Sequence, residues 1–149
     1  MSVTGCEFGQ QDYAPGERRE ALVERVVDGD TAVMKVGGES VYVRYIGIDT
    51  PESVKPGSPV ECLGPESSSF NASRVEGRRV ELEFDRELYD RYDRLLAYVR
   101  VDGRMVNAEL LKKGLATTLT IPPNDRYADR FSALEQEASD NSEGLWQAC

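Results

Sequence analysis

The chain has 149 residues, which suits one domain with a core large enough to fold without metal or disulfide support. It carries a formal net charge of −9 and contains no histidine. The lack of histidine excludes serine–histidine triads, histidine general bases and most catalytic zinc sites. A catalyst built from this sequence must use carboxylates, arginines, hydroxyls or a metal bound by oxygen.

The acidic charge argues against a polyanionic substrate if it is taken alone. Only four of the 18 basic residues are lysines. An acidic and lysine-poor surface is typical of a high-salt habitat, where the Debye length falls to roughly 3 Å at 1 M and overall repulsion fades. The composition leaves two readings open, a halophilic protein and an ordinary acidic one.

The first half of the chain predicts a meander. Residues 1–19 are polar and without period, and we expect a flexible tail followed by a single domain over residues 20–149. Strands are predicted over residues 22–27, 31–36 and 41–46, because β-branched and aromatic residues recur there and tight Asp-Gly and Gly-Gly turns separate them.

The second half mixes helices and strands. Prolines and a glycine indicate a loop over residues 51–59, and Pro65 suits the first position of a helix over residues 65–75. Strands are predicted over residues 79–84 and 95–101, and helices over residues 106–111 and 127–138. Leu145 and Trp146 are expected to fold back onto the core. Five short strands with about three helices indicate an α+β fold, a five-stranded Greek-key barrel of the OB type.

Two acidic segments follow strands. They are Asp28-Gly29-Asp30-Thr31 and Asp49-Thr50-Pro51-Glu52. Each alone is ordinary turn chemistry. Together they could bring carboxylate and carbonyl oxygens from two segments to one hard cation such as Ca2+.

Arginines accompany these segments. Arg44 precedes the second one, and Arg91 and Arg94 lie just before the last strand. Guanidinium groups suit the negative phosphoryl oxygens of a phosphodiester transition state. The alternative is a solvated surface on which these arginines pair with Asp90 and Asp93.

The blocks taken in order resemble the staphylococcal nuclease (thermonuclease-like) family. The similarity spans roughly residues 21–146, and its main blocks are residues 27–31, 44–52 and 90–98. Lesser landmarks are Gly64-Pro65-Glu66, Met105-Val106-Asn107, Gly114-Leu115-Ala116 and Gly144-Leu145-Trp146. The resemblance implies a Ca2+-dependent hydrolase that cuts DNA and RNA at the 5′ P–O bond and leaves 3′-phosphates.

The resemblance also implies a metal site and a base. Asp30 and Asp49 would bind Ca2+ by their carboxylates, and Thr50 would bind it by its backbone carbonyl. Glu52 would act as the general base or orient the attacking water.

The arginines have implied roles as well. Arg44 and Arg94 would hold the phosphoryl oxygens in the transition state, while Arg91 and Tyr92 would bind a terminal phosphate.

Three positions depart from the family pattern. Thr120 and Pro122 stand where the best-known member has tyrosines that flank the nucleotide base. Base stacking is worth roughly 1–3 kcal/mol per base, so weaker binding or an altered base preference is expected. Asp93 replaces a glycine, and it either weakens phosphate binding or pairs with an arginine.

The three cysteines bear on location. Cys6 ends Val3-Thr4-Gly5-Cys6, which fits a lipobox, although a chance match is an equal alternative. Cys62 and Cys149 form either a disulfide or two free thiols. A disulfide would fit an oxidising compartment, and we expect an extracellular or cell-surface protein.

Two rival functions remain beside the nuclease. One is a catalytically weak or inactive nucleic-acid or protein-binding module of the same fold, which should lack some of the catalytic groups. The other is an unrelated OB-type single-strand binder, which would need a basic groove lined by aromatic residues. For the nuclease we expect DNA and RNA as partners, no protein partner, no transmembrane span and a monomer.

Overall fold

The computed structural model describes residues 13–52 and 61–149. Cys6 and its predicted lipidation lie outside the described residues, as do residues 53–59 of the predicted loop. None of the helices within the described ranges has the length and apolar character needed to cross a membrane.

The described chain forms eight strands and four helices. The strands are β1 (Arg18–Asp28), β2 (Thr31–Val36), β3 (Glu39–Tyr45), β4 (Gly47–Asp49), β5 (Arg79–Glu83), β6 (Leu95–Val101), β7 (Arg104–Met105) and β8 (Thr117–Leu119). The helices are α1 (Gly64–Val75), α2 (Val106–Lys112), α3 (Ala128–Asp140) and α4 (Leu145–Ala148).

Five of the strands close into a barrel. The order β3-β2-β1-β5-β6 is antiparallel throughout, and a parallel pairing of β3 with β6 joins the two ends. β1 carries two register shifts opposite β2, and such bulges bend a strand enough to serve two neighbours around a closed sheet. The predicted five-stranded barrel with helices is therefore confirmed.

The barrel begins earlier in the chain than the sequence pattern indicated. β1 starts at Arg18, inside the segment predicted as a tail. Tyr13 also packs against Phe84, with ring centroids 5.1 Å apart, and the Arg19 guanidinium lies over its ring. The one aromatic side chain near the start of the described chain thus attaches residues 13–19 to the domain.

Three short strands were not predicted. β4 pairs with β8, and β7 pairs with the end of β6. Each has two or three residues, too few to show an alternating pattern. The β4–β8 pair matters for function because it fixes the segment that ends at Asp49.

α1 is attached by polar contacts to the barrel and to the turn after β1. Its apolar face is thin, yet Ser67 and Asn71 are fully buried. The Ser67 hydroxyl donates to the Leu115 carbonyl (2.7 Å), and the Tyr45 hydroxyl donates to Asn71 Oδ1 (2.8 Å). Asn71 Nδ2 in turn donates to the Asp28 carbonyl (2.9 Å). Buried polar groups that are fully paired hold one arrangement, so α1 fixes the turn after β1.

The C-terminal segment is held by backbone contacts and a disulfide. Cys62 and Cys149 are joined, with 6.2 Å between their Cα atoms. Trp146 remains 40% exposed, so the expectation that it folds onto the core is wrong. The contact that fixes α4 is instead the Leu145 N–H, which donates to the Gly114 carbonyl (2.8 Å).

Candidate active site

The turn between β1 and β2 presents a carboxylate with fixed geometry. The Asp30 side chain accepts hydrogen bonds from the Thr31 hydroxyl (3.0 Å) and from the Thr50 backbone N–H (3.0 Å). The Asp30 N–H donates to Asp28 Oδ1 (3.1 Å), and the Tyr45 N–H donates to the Asp30 carbonyl (2.9 Å). Asp30 is therefore buried and oriented by three chain segments.

Gly29 allows this turn to approach the segment after β4. A Cβ atom at Gly29 would lie 2.7 Å from Thr50 Oγ1 and 2.8 Å from the Ser67 Cβ. Backbone φ is not the reason for glycine here, since only close packing distinguishes the position. The sequence Asp-Gly-Asp thus combines turn formation with contact to Thr50.

Arg44 bridges the two acidic segments. Its Nη1 donates to the carbonyls of Tyr45 (2.8 Å) and Ile48 (3.0 Å) and lies 3.4 Å from Asp30 Oδ2. Its Nη2 lies 3.6 Å from Asp49 Oδ1. The side chain is only 14% exposed, so burial and four oxygen contacts hold the guanidinium in place.

Negative charge exceeds positive charge at this end of the barrel. Burial, with Asp30 and Glu52 nearby, raises the pKa of Asp28 to about 7. Burial and Asp30 also raise the pKa of Asp49, although Arg44 acts in the opposite direction. Carboxyl groups with raised pKa values are those that a bound cation would stabilise in the charged form.

The donor set fits a hard cation. All side chains here that could bind a metal offer oxygen, and the buried Thr50 Oγ1 has no hydrogen-bond partner among the described residues. No three His, Cys, Asp or Glu side chains within residues 13–52 and 61–149 converge into a metal cluster by themselves. A Ca2+ ion would therefore depend on Asp30 and Asp49 together with backbone carbonyls and water.

A second basic group comes from the loop between β5 and β6. Asp90 organises this loop, because its Oδ1 accepts from the N–H groups of Tyr92 (2.9 Å) and Arg94 (3.0 Å). Its Oδ2 accepts from Arg94 Nε (2.8 Å). Asp90 and Asp93 were the two predicted partners of the arginines. Arg94 pairs with Asp90, and this ion pair orients its guanidinium group.

Arg91 and Tyr92 lie on the outer side of the same loop. Tyr92 is 63% exposed, and the guanidinium groups of Arg91 and Arg94 lie 5.0 and 5.3 Å from the centre of its ring. Arg91 Nη2 donates to the Tyr92 hydroxyl (2.9 Å). The loop thus presents two guanidinium groups stacked on one exposed aromatic ring.

Arg44 and Arg94 line one cavity of about 210 Å3. The β3–β6 pairing explains why, since Arg44 lies opposite Leu96, two residues after Arg94. Leu119 and Ile121 form an apolar part of the wall. An adjoining groove is lined by Asp28, Thr31, Tyr42, Tyr92 and Arg94, among others.

Glu52 lies at the end of the first described range. It is partly exposed, and its charge acts on Asp28. Its backbone is hydrogen-bonded to Glu61. The structure therefore brings Asp30, Arg44, Asp49, Thr50 and Glu52 to one end of the barrel.

Comparison with known proteins identifies the family of this chain. The family model described as "Staphylococcal nuclease homologue" matches residues 42–148. The chain belongs to the staphylococcal nuclease family. It is 43% identical over 126 residues to a thermonuclease of Staphylococcus intermedius, covering 85% of this chain and 75% of the relative.

Further relatives of this family share similar identity. A thermonuclease of Staphylococcus hyicus is 40% identical over 124 residues, which is 83% of this chain and 73% of the relative. Endonuclease YncB of Bacillus subtilis is 42% identical over 126 residues, which is 83% of this chain and 60% of the relative.

The sequence pattern missed some of the residues that shape the site. The family resemblance indicates Thr120 and Pro122 as the positions beside the base, whereas Leu119 and Ile121 line the cavity wall. Alternation along an extended segment could have revealed this, because side chains two residues apart share a face. Asp93 has a φ of 63°, a left-handed conformation that asparagine and aspartate tolerate better than most residues do.

Proposed function

We propose that this chain is a Ca2+-dependent nuclease that cleaves both DNA and RNA at the 5′ P–O bond and leaves 3′-phosphates. The chain is a phosphodiester hydrolase of the staphylococcal nuclease family, as its relatives named thermonuclease and endonuclease indicate. The metal, the bond cleaved and the breadth of substrate are the proposed part.

One observation carries the proposal. Arg44 contacts both acidic segments and lines, with Arg94, a single cavity of about 210 Å3. A phosphodiester in that cavity would meet two guanidinium groups, one of which contacts the Asp30 and Asp49 carboxylates. This arrangement favours a reaction that concentrates negative charge on phosphoryl oxygens.

Each residue of the site has a separate role in the proposed reaction. Asp30 and Asp49 would hold the cation by their carboxylates, and Thr50 would hold it by its backbone carbonyl. Bound Ca2+ would supply a Lewis acid that offsets charge on the phosphoryl group. Glu52 accepts a proton from the attacking water, and Arg44 and Arg94 stabilise the charge that develops on the oxygens.

Arg91 and Tyr92 extend the proposed substrate contact. Their exposed position beside Arg94, in or next to the groove that Tyr92 and Arg94 line, suits a terminal phosphate. Leu119 and Ile121 would give a nucleotide base an apolar surface without aromatic stacking. We therefore expect weaker base binding, or an altered base preference, compared with a site that has two flanking tyrosines.

The proposed location is extracellular or on the cell surface. The Cys62–Cys149 disulfide supports an oxidising compartment. Lipidation at Cys6 and a halophilic habitat remain part of the proposal. They predict a lipid-modified cysteine in the protein from its source and activity that persists in molar KCl.

Product analysis tests the proposal. End-labelled single-stranded DNA and RNA are incubated with Ca2+ or with EDTA, and the new ends are examined for phosphate. We expect both substrates to be cleaved in Ca2+ but not in EDTA, and the products to carry 3′-phosphates. Cleavage in EDTA, or 5′-phosphate products, would contradict the proposed metal or bond. Nucleic-acid binding without cleavage under any condition would favour the binding module.

A further inference from the structure

Glu52 is held by a reciprocal contact with Glu61. The Glu61 N–H donates to the Glu52 carbonyl (2.9 Å), and the Glu52 N–H donates to Glu61 Oε1 (2.8 Å). These two bonds fix the backbone that bears the Glu52 side chain. The Glu61 side chain is exposed. Besides accepting this bond, its charge contributes to the raised pKa of Asp49.

Glu61 is next to the disulfide. Cys62 is bonded to Cys149, and the Gly64 N–H donates to the Glu61 carbonyl (2.9 Å) in the turn that begins α1. Glu61 and Cys62 are both exposed. The turn and the Glu52 contact restrain this segment by hydrogen bonds, and the disulfide restrains it covalently.

The far end of the disulfide is anchored to the body of the protein. A Cβ atom at Gly114 would lie 2.3 Å from the Glu143 carbonyl oxygen, and one at Gly144 would lie 2.4 Å from the Gly114 carbonyl oxygen. The Leu145 N–H donates to that same Gly114 carbonyl. The segment that leads to Cys149 is therefore packed directly on the end of α2.

We propose that Glu61 is a positioning residue for Glu52 and that the Cys62–Cys149 disulfide holds Glu61 in register. The route runs from the α2 terminus through α4, the disulfide and Glu61 to the Glu52 backbone. This inference rests on the proposed role of Glu52 as the base. Its physical reason is that a displacement of about 1 Å in a catalytic group can lower a rate by up to about 10²-fold.

Substitutions at Glu61 test the first half. Glu61→Ala removes the acceptor for the Glu52 N–H, and we expect kcat to fall about tenfold, within the range that small misplacements cause. With Ca2+ saturating, KM should change less than twofold. Any change in the Kd for Ca2+ should be equal in Glu61→Ala and Glu61→Gln, because both remove the charge that acts on Asp49. Glu61→Gln keeps an oxygen acceptor, so it should restore kcat to near the wild-type value.

Glu66→Ala is the matched control. Glu66 is exposed, lies in the first turn of α1 and carries the same charge, but among the described residues the side chain that accepts from the Glu52 N–H is that of Glu61. An equal kcat for Glu61→Ala and Glu66→Ala would overturn the inference. So would a Glu61→Gln variant as slow as Glu61→Ala, since charge rather than geometry would then be responsible.

Reduction tests the second half. A dithiol reductant transfers two electrons and two protons, breaks the S–S bond and leaves two thiols, while the reductant closes to its own disulfide. We expect reduction to lower the kcat of the wild type about threefold to tenfold, a smaller misplacement than full loss of the acceptor. Cys62→Ser/Cys149→Ser should show the lower kcat without reductant and no response to it. An unchanged kcat in both cases would overturn the role of the disulfide.

Hydrogen exchange separates this inference from the proposed function. The Glu52 amide should exchange slowly in the wild type and in Glu61→Gln, and faster in Glu61→Ala and in the serine variant. This readout needs no catalysis, and the exposed Glu61 substitutions should leave the fold intact. A wild-type protein with no nuclease activity would refute the proposed function, whereas equal exchange in all variants would refute the positioning contact.

Discussion

Loss of the Cys62–Cys149 disulfide should cost the protein a large part of its stability. The two cysteines are 87 residues apart in sequence, and the chain-entropy model gives about 4.6 kcal/mol at 25 °C for a loop of that length. A domain of this size loses roughly 3 °C in Tm per kcal/mol, so the expected decrease is about 14 °C. These are upper values, because a compact unfolded state already restricts the chain.

The assay compares urea unfolding of the wild type and of Cys62→Ser/Cys149→Ser, followed by circular dichroism. Both proteins carry Cys6→Ser, so that no third thiol can exchange with the disulfide. Added reductant should lower the stability of the parent to that of the serine variant and leave the variant unchanged. A difference in the free energy of unfolding below about 1 kcal/mol would refute the reasoning, because a loop of this length should contribute more than that.

Three other positions give independent predictions. Gly29→Ala should destabilise the protein by about 1–3 kcal/mol and weaken Ca2+ binding, because its Cβ would displace Thr50; calorimetry showing unchanged Ca2+ affinity would contradict this. The pKa of Glu83 is lowered although burial alone would raise it, because Arg100, Tyr127 and Arg126 donate to the carboxylate. The ionised Glu83 carboxylate therefore stabilises the fold above the pKa of glutamate in the unfolded chain, and this stabilisation is lost as the pH falls through the lower pKa of the folded state. In urea unfolding measured from pH 7 to pH 3, Glu83→Gln should lose less of its free energy of unfolding toward acid pH than the wild type does. An equal loss in both proteins would argue against it. Arg44→Lys should lower kcat about 10²-fold, because an ammonium group cannot keep the four oxygen contacts of the guanidinium; a lysine variant with wild-type kcat would show that the bridge is not needed.

The barrel could be predicted because its strands carry local signals. Alternation in residues 79–84 and the Asp-Gly turn after residue 27 each indicate structure within a few residues, and the apolar stripe of α3 does the same. Phe131 and Ala138 are buried as that stripe requires. Such local patterns predict the structure correctly because the local preference and the packing of the core favour the same conformation.

The sequence could not predict contacts that depend on distant segments. The Glu52–Glu61 pair, the attachment of Tyr13 to Phe84 and the burial of Asn71 each join parts of the chain that no periodicity connects. The parallel β3–β6 pairing that places Arg44 near Arg94 belongs to the same class. That pairing follows only from closure of the barrel.

The candidate site was indicated by blocks of sequence rather than by single residues. Asp30 and Asp49 are ordinary turn residues in isolation, and only Arg44 shows that they share a partner. Asp90 could be interpreted as a surface ion pair, yet its two oxygens determine the conformation of the loop that carries Arg94. The role of Asp90 depends on the position of its partner Arg94 at the cavity, and the sequence alone does not give that position.

The most direct test of the proposed nuclease site is the single-turnover cleavage rate of single-stranded DNA at saturating Ca2+. Wild type is compared with Glu52→Ala and Arg94→Ala, with Arg79→Ala as a control for loss of an exposed arginine. The account predicts Ca2+-dependent cleavage that falls by about 10²-fold or more in both site variants and stays within about twofold in the control. Full activity in Glu52→Ala or Arg94→Ala, with the protein folded and Ca2+ bound, would contradict it.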